Sequence, residues 1–95
     1  MFIVLLKYSD NKEHAGQFME GHKAWIQRGF DDGVFLVVGG LQPNAGGGIV
    51  AHNIARPELE RRVEEDPFVA EGVVEAEIHE IAPARTDDRL AFLAA

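Results

Sequence analysis

The chain has 95 residues, 46% of them apolar and 26% charged, enough for one compact domain with a single core. Its net charge of −7 and pI near 4.9 give a surface that repels phosphate backbones and anionic bilayers, so neither nucleic acid nor membrane is an expected partner. Without cysteine there is no disulfide, thiolate metal site or cysteine nucleophile, and the composition suits the cytoplasm.

Residues 2–8, FIVLLKY, form a β-branched and aromatic run that predicts a buried strand. The apolar stretch before Lys7 is too short for a signal peptide or a membrane span. Asp10 with Glu13 three residues later has the form of a capping box, opening a helix over 11–29 that Gly29 closes. Ala15, Phe18, Met19, Trp25 and Ile26 recur at the spacing of a buried helical stripe. His22 falls on that stripe.

A second strand is expected over 34–40, then a loop QPNAGGG, then a third strand over 47–54, making a hairpin. The triplet Gly46-Gly47-Gly48 has no Lys-Ser/Thr ending and lies between strands, so it is expected as a flexible turn, not a phosphate loop. Gly39-Gly40, at a strand end, can mark packing, a bulge or the close approach of a ligand. A second helix starts at Arg56 with Pro57 in its first turn. Pro67 disfavours helical geometry at Asp66, so that helix stops there. A short helical turn can then begin, with Asp66 as N-cap and Gly72 closing it. The fourth strand, 74–81, alternates apolar and polar residues. Pro83 ends the domain, 1–83, and leaves a tail, 84–95, whose Leu90, Phe92 and Leu93 can dock on the body or on a partner chain.

The order βαββαβ predicts an α+β fold of ferredoxin-like type, a four-stranded antiparallel sheet with two helices on one face. The open sheet face needs a cover, and a second copy of the chain supplies one, so a homodimer is expected.

The four histidines, His14, His22, His52 and His79, make no H-x-H or H-E-x-x-H pattern, so no metal site is expected. His14 fits a solvated helix position and His79 the polar phase of its strand; His52 fits either face. His22 has two readings: a satisfied core residue, or a ring oriented by a carboxylate, with its second nitrogen free as a general base or acid. Asp66 likewise is either a plain cap or the partner of His22. Periodicity cannot join two residues 44 positions apart.

Over residues 1–83 the pattern resembles the YciI-like (YCII-related) family. The resemblance lies in the opening strand, the GHKAWI helix with His22, the VVGGL strand end, the DPFVAEGVV segment and the closing EIHEIAP. It implies a dimeric α/β-barrel arrangement, with His22 and Asp66 as an acid/base dyad in a pocket between helices and sheet. One branch of the family resembles dehydrochlorinases of chlorinated hydroxyquinols. Where relatives often carry Gly-Pro, this chain has Gly40-Leu41 and a short loop, which reshapes the pocket mouth.

The expected function is that of a small enzyme without a cofactor, performing elimination or isomerisation on a small metabolite, an aromatic one included. His22 and Asp66 are the catalytic candidates. Ser9, Trp25, Gly40 and Phe68 are the candidate substrate contacts. The alternative is a dimeric module that binds such a molecule without turning it over.

Overall fold

The computed structural model describes residues 1–94. Strand β1 (Phe2–Tyr8) leads through a 3₁₀ turn (Lys12–His14) into α1 (Ala15–Asp31). The hairpin β2 (Phe35–Leu41) and β3 (Gly46–Ala51) follows, then α2 (Arg56–Glu64), α3 (Pro67–Ala70) and β4 (Val74–Glu80). The sheet is antiparallel throughout, in the order β2-β3-β1-β4. This is the ferredoxin-like α+β arrangement, with the second crossover helix broken into α2 and α3.

Strand parity decides what is buried. Phe2, Val4 and Leu6 of β1 point to the helices, as do Ile49 and Ala51 of β3. They pack with Trp25 of α1, Leu59 and Val63 of α2 and Phe68 of α3. The opposite phase, Ile3 and Leu5 with Val50 and Val37, faces away from the helices. Val37 is 59% exposed there. Residues 83–94 run past that face, ending in a 3₁₀ segment, Asp88–Ala94, in which Phe92 is half-exposed beside the His52 ring.

Three sequence expectations are corrected. The Asp10–Glu13 capping box does not form: neither the 3₁₀ turn nor α1 has a side-chain cap. The Ser9 hydroxyl accepts the Asn11 N–H at 3.0 Å instead, so the chain turns before a helix can start at residue 11. Gly29 does not end α1; it lies inside the helix because a Cβ there would overlap the Phe35 ring. The helix closes at Gly33, whose φ of +72° suits glycine, with bonds from Gly33 N to Phe30 O and from Val34 N to Gly29 O. The triplet Gly46–Gly48 is strand, not turn, and pairs with Lys7, Leu6 and Leu5. At Gly46, with φ +133°, any side chain would collide with the Leu6 carbonyl. The turn itself is the shorter run 42–45.

Candidate functional site: His22, Asp66 and a one-ring cavity

The site begins with a helix start. Pro67 keeps Asp66 extended (φ −64°, ψ 122°), and Asp66 Oδ1 accepts the Phe68 N–H at 3.0 Å. That is the N-cap bond expected from the sequence. The same oxygen lies 2.7 Å from His22 Nδ1. A carboxylate only accepts, so Nδ1 carries the proton and donates. Asp66 therefore caps α3 and orients His22 with one oxygen. Its other oxygen, Oδ2, is buried without a partner among the described residues. Asp66 itself is 0% exposed, and the His22 side chain 14%.

Aromatic packing fixes the His22 ring plane. Phe68 lies parallel to it, 2° off, with centroids 3.9 Å apart. Trp25 sits further off on the same helix, at 6.0 Å and 22°. The segment Asp66-Pro67-Phe68 thus holds His22 by one edge and one face. Helix α1 can approach it because residue 21 is glycine: a Cβ there would stand only 3.0 Å from Pro67 Cγ. A larger residue would wedge α1 and α3 apart at the position before the histidine.

With Nδ1 engaged, Nε2 is the ring nitrogen without a protein partner among the described residues. His22 lines a cavity of about 240 Å³ between α1 and the sheet. Met19, Lys23 and Ile26 form the rest of the helical wall, Phe68 one end, and Leu6, Tyr8, Val38, Gly39, Gly46 and Gly47 the sheet side. An apolar cavity of about 150 Å³ is enough for benzene, so this one holds a single substituted ring. The volume exists because the floor lacks side chains. Gly47 faces the helices opposite Leu6, and a Cβ on it would meet only Gly39 O, at 3.6 Å.

The other sequence candidates are placed as follows. Ser9 does not line the cavity. Its hydroxyl is directed at the carbonyls of Gly72 and Val73, and it accepts from Asn11, so it clamps the end of β1 to the turn before β4. Trp25, 1% exposed, stands behind His22, and its indole N–H donates to Arg62 O at 2.8 Å, tying α1 to α2. Gly40 pairs with Gly47 on the sheet but is not part of the lining; its neighbour Gly39 is. Phe68 is in the lining. Gly39, which the sequence marks with Gly40 as a place where a ligand can approach, is in the floor; Tyr8, Lys23, Gly46 and Gly47 are lining residues that the sequence reading missed. Lys23 follows His22 directly, and Gly47 sat in a triplet that looked like a turn. Among the described residues no three His, Asp or Glu side chains cluster to hold a metal.

A wider groove of about 670 Å³ lies on the other side of the sheet, between residues 81–93 and Leu36, Val37 and Val50. It contains no histidine; Arg85 and Asp87 are its charged residues.

No family model and no curated protein sequence matches the chain. Among solved structures, it is similar to the 5-chloro-2-hydroxyhydroquinone dehydrochlorinase of Burkholderia phenoliruptrix, determined in complex with 2,5-dihydroxybenzoquinone. The TM-score is 0.68 at 14% identity, covering 85% of this chain and 93% of that one. The two share a fold.

Proposed function

We propose that this chain is a small enzyme of the YciI-like type, in which His22 moves a proton and Asp66 orients it. The observation that carries this reading is the 2.7 Å contact between Nδ1 and a fully buried carboxylate, beside a cavity sized for one ring. In the proposed step, Nε2 takes a proton from a carbon or hydroxyl of the substrate. The released electron pair forms a new double bond, and a leaving group departs with its own pair, or the proton returns at another atom. Asp66 stabilises the imidazolium that results. The reaction needs no cofactor, because no electron is gained or lost overall.

The dehydrochlorinase and its quinone ligand support a small hydroxylated ring as the substrate class. Chloride release from a chlorinated hydroxyhydroquinone is the first assay. His22→Gln and Asp66→Asn should each lower the rate by about 10²- to 10⁴-fold, the usual contribution of acid/base catalysis, while ring binding survives in Asp66→Asn. Binding without turnover in the unaltered protein would instead assign a non-catalytic binding module. Turnover that persists in His22→Gln would refute the role of the histidine.

We further propose a homodimer formed across the open sheet face, where Ile3, Leu5, Val37 and Val50 present apolar surface. A solution mass of twice 10.5 kDa is expected; a monomer at micromolar concentration would refute it. No helix among the described residues is long and apolar enough to cross a membrane, and a cysteine-free chain fits a cytoplasmic location.

A further inference from the structure

The cavity beside His22 has a charge bias opposite to that of the chain as a whole. The chain carries sixteen acidic against nine basic residues, yet no carboxylate lines this cavity. Its ionisable lining residues are Tyr8, His22 and Lys23. Lys23 forms no ion pair with any described carboxylate, although Glu20 lies one helical turn away. Lys23 lines the same wall as Met19 and Ile26, while the residue remains exposed. A lysine so placed lays its stem along apolar surface and keeps its ammonium in water at the rim.

From this we infer that Lys23 is the specificity-determining residue of the cavity and selects a single-ring ligand bearing an ionised oxygen, such as a phenolate, enolate or carboxylate. The inference deepens the proposed function and rests on its premise that the cavity binds a small molecule. The ring enters between the His22–Phe68 stack and the glycine floor, and its anionic oxygen stays at the rim beside the ammonium. An uncharged ring finds the same apolar walls but no partner for Lys23. At the rim the pair is partly screened by water, so its attraction is on the scale of a surface ion pair. The surrounding acidic surface disfavours anions, which makes a local cation the feature able to reverse that preference.

The test uses two probes of nearly equal shape, benzoate and benzamide, titrated by calorimetry into the full-length protein at low salt. The unaltered chain should bind benzoate more tightly. Lys23→Met keeps the apolar stem and should weaken benzoate by about fivefold, the scale of one partly screened ion pair, with benzamide unchanged. Lys23→Arg should restore most of the benzoate affinity. Gly47→Val puts a branched side chain on the cavity floor and should abolish binding of both probes. Equal losses of both probes in Lys23→Met, or no loss of benzoate, would overturn the inference and leave the cavity reading standing. Binding that survives Gly47→Val, or failure of both probes to bind the unaltered chain, would overturn the cavity reading and this inference with it.

Discussion

Replacing Asp66 by serine separates the two tasks of its carboxylate. A serine N-cap still accepts a hydrogen bond from the first-turn amide, but its shorter side chain cannot span to His22 Nδ1, now 2.7 Å from Oδ1. The lost bond is charge-assisted and buried, which is worth about 1.5–3 kcal/mol. Removing Oδ2, a buried oxygen without a partner, offsets part of that, so a net loss of about 2 kcal/mol is expected. Asp66→Ala also removes the cap and should cost about 1 kcal/mol more. A domain of this length is stable by about 5–14 kcal/mol, so both variants still fold. Urea unfolding reports the losses through Trp25, the single tryptophan, which is 1% exposed. A double-mutant cycle of Asp66→Ser with His22→Leu isolates the contact, and a coupling of about 2 kcal/mol is expected. A coupling under about 0.5 kcal/mol, the level of independent sites, would refute the claim that these side chains support one another. Equal losses for serine and alanine would refute the claim that the carboxylate caps α3.

Other perturbations test the surroundings of the pair. Gly21→Val should force α1 away from Pro67, cost about 1–3 kcal/mol as overpacking does, and change the His22 tautomer seen by ¹⁵N NMR from the Nδ1-protonated form; an unaltered tautomer would mean that the helix approach does not position the ring. Gly46→Ala should destabilise by about 3 kcal/mol or more, because a left-handed-region φ and a clash with the Leu6 carbonyl add; a thermal melt unchanged within error would count against the strand register. Lys7 Nζ donates to Glu77 at 3.2 Å and, with a smaller contribution from His79, holds that carboxyl below its ordinary value of 4.5. The folded value being the lower one, this contribution is present above about pH 4.5 and fades as the pH falls through the folded value. Lys7→Met should therefore raise the Glu77 titration midpoint and flatten the acid limb of the stability curve, and an identical limb in both proteins would refute the assignment.

Strand and helix types were legible because their signals are periodic. Phe2, Val4 and Leu6, at alternate positions of β1, are its buried residues, and the Phe18–Ile26 stripe faces the core or the cavity. Boundaries depended on interactions remote in sequence. The start of α1 is set by Ser9 turning onto Gly72 and Val73, more than 60 positions away. Gly29 looked like a helix end because its requirement, the Phe35 ring, lies on another element. The Gly46–Gly48 run looked like a turn because nothing local shows that Leu6 will lie across it. For the site, local sequence offered the N-cap at Asp66 and the inward phase of His22 but not their meeting. That meeting depends on Gly21 against Pro67, a contact between helices separated by the whole hairpin. Lys23 went unread because a lysine on a helix is ordinarily solvated, and only the cavity beside it makes its charge informative.

The choice of aspartate at position 66 still needs a cause. Capping α3 requires one acceptor oxygen, which serine, threonine or asparagine supplies about as well. Those residues would do so without burying a charge, and Oδ2 of Asp66 makes no bond to offset its lost hydration. An unsatisfied buried oxygen costs about 1–3 kcal/mol, so capping alone favours a neutral residue here. His22 supplies the missing term. Its Nδ1–H meets the carboxylate at 2.7 Å, and an anion, unlike a neutral cap, stabilises the ring most when the ring gains a second proton. On the proposed mechanism, the charge at residue 66 serves the chemistry at residue 22 as well as the helix it starts. Asp66→Asn exposes this directly. The amide oxygen keeps both the cap and an acceptor for Nδ1–H, so the fold is retained while the anion is lost. On the proposed mechanism, a well-folded Asp66→Asn protein is slow because its imidazolium has no counter-charge. Were it as fast as the unaltered chain, the buried carboxylate would have no catalytic explanation.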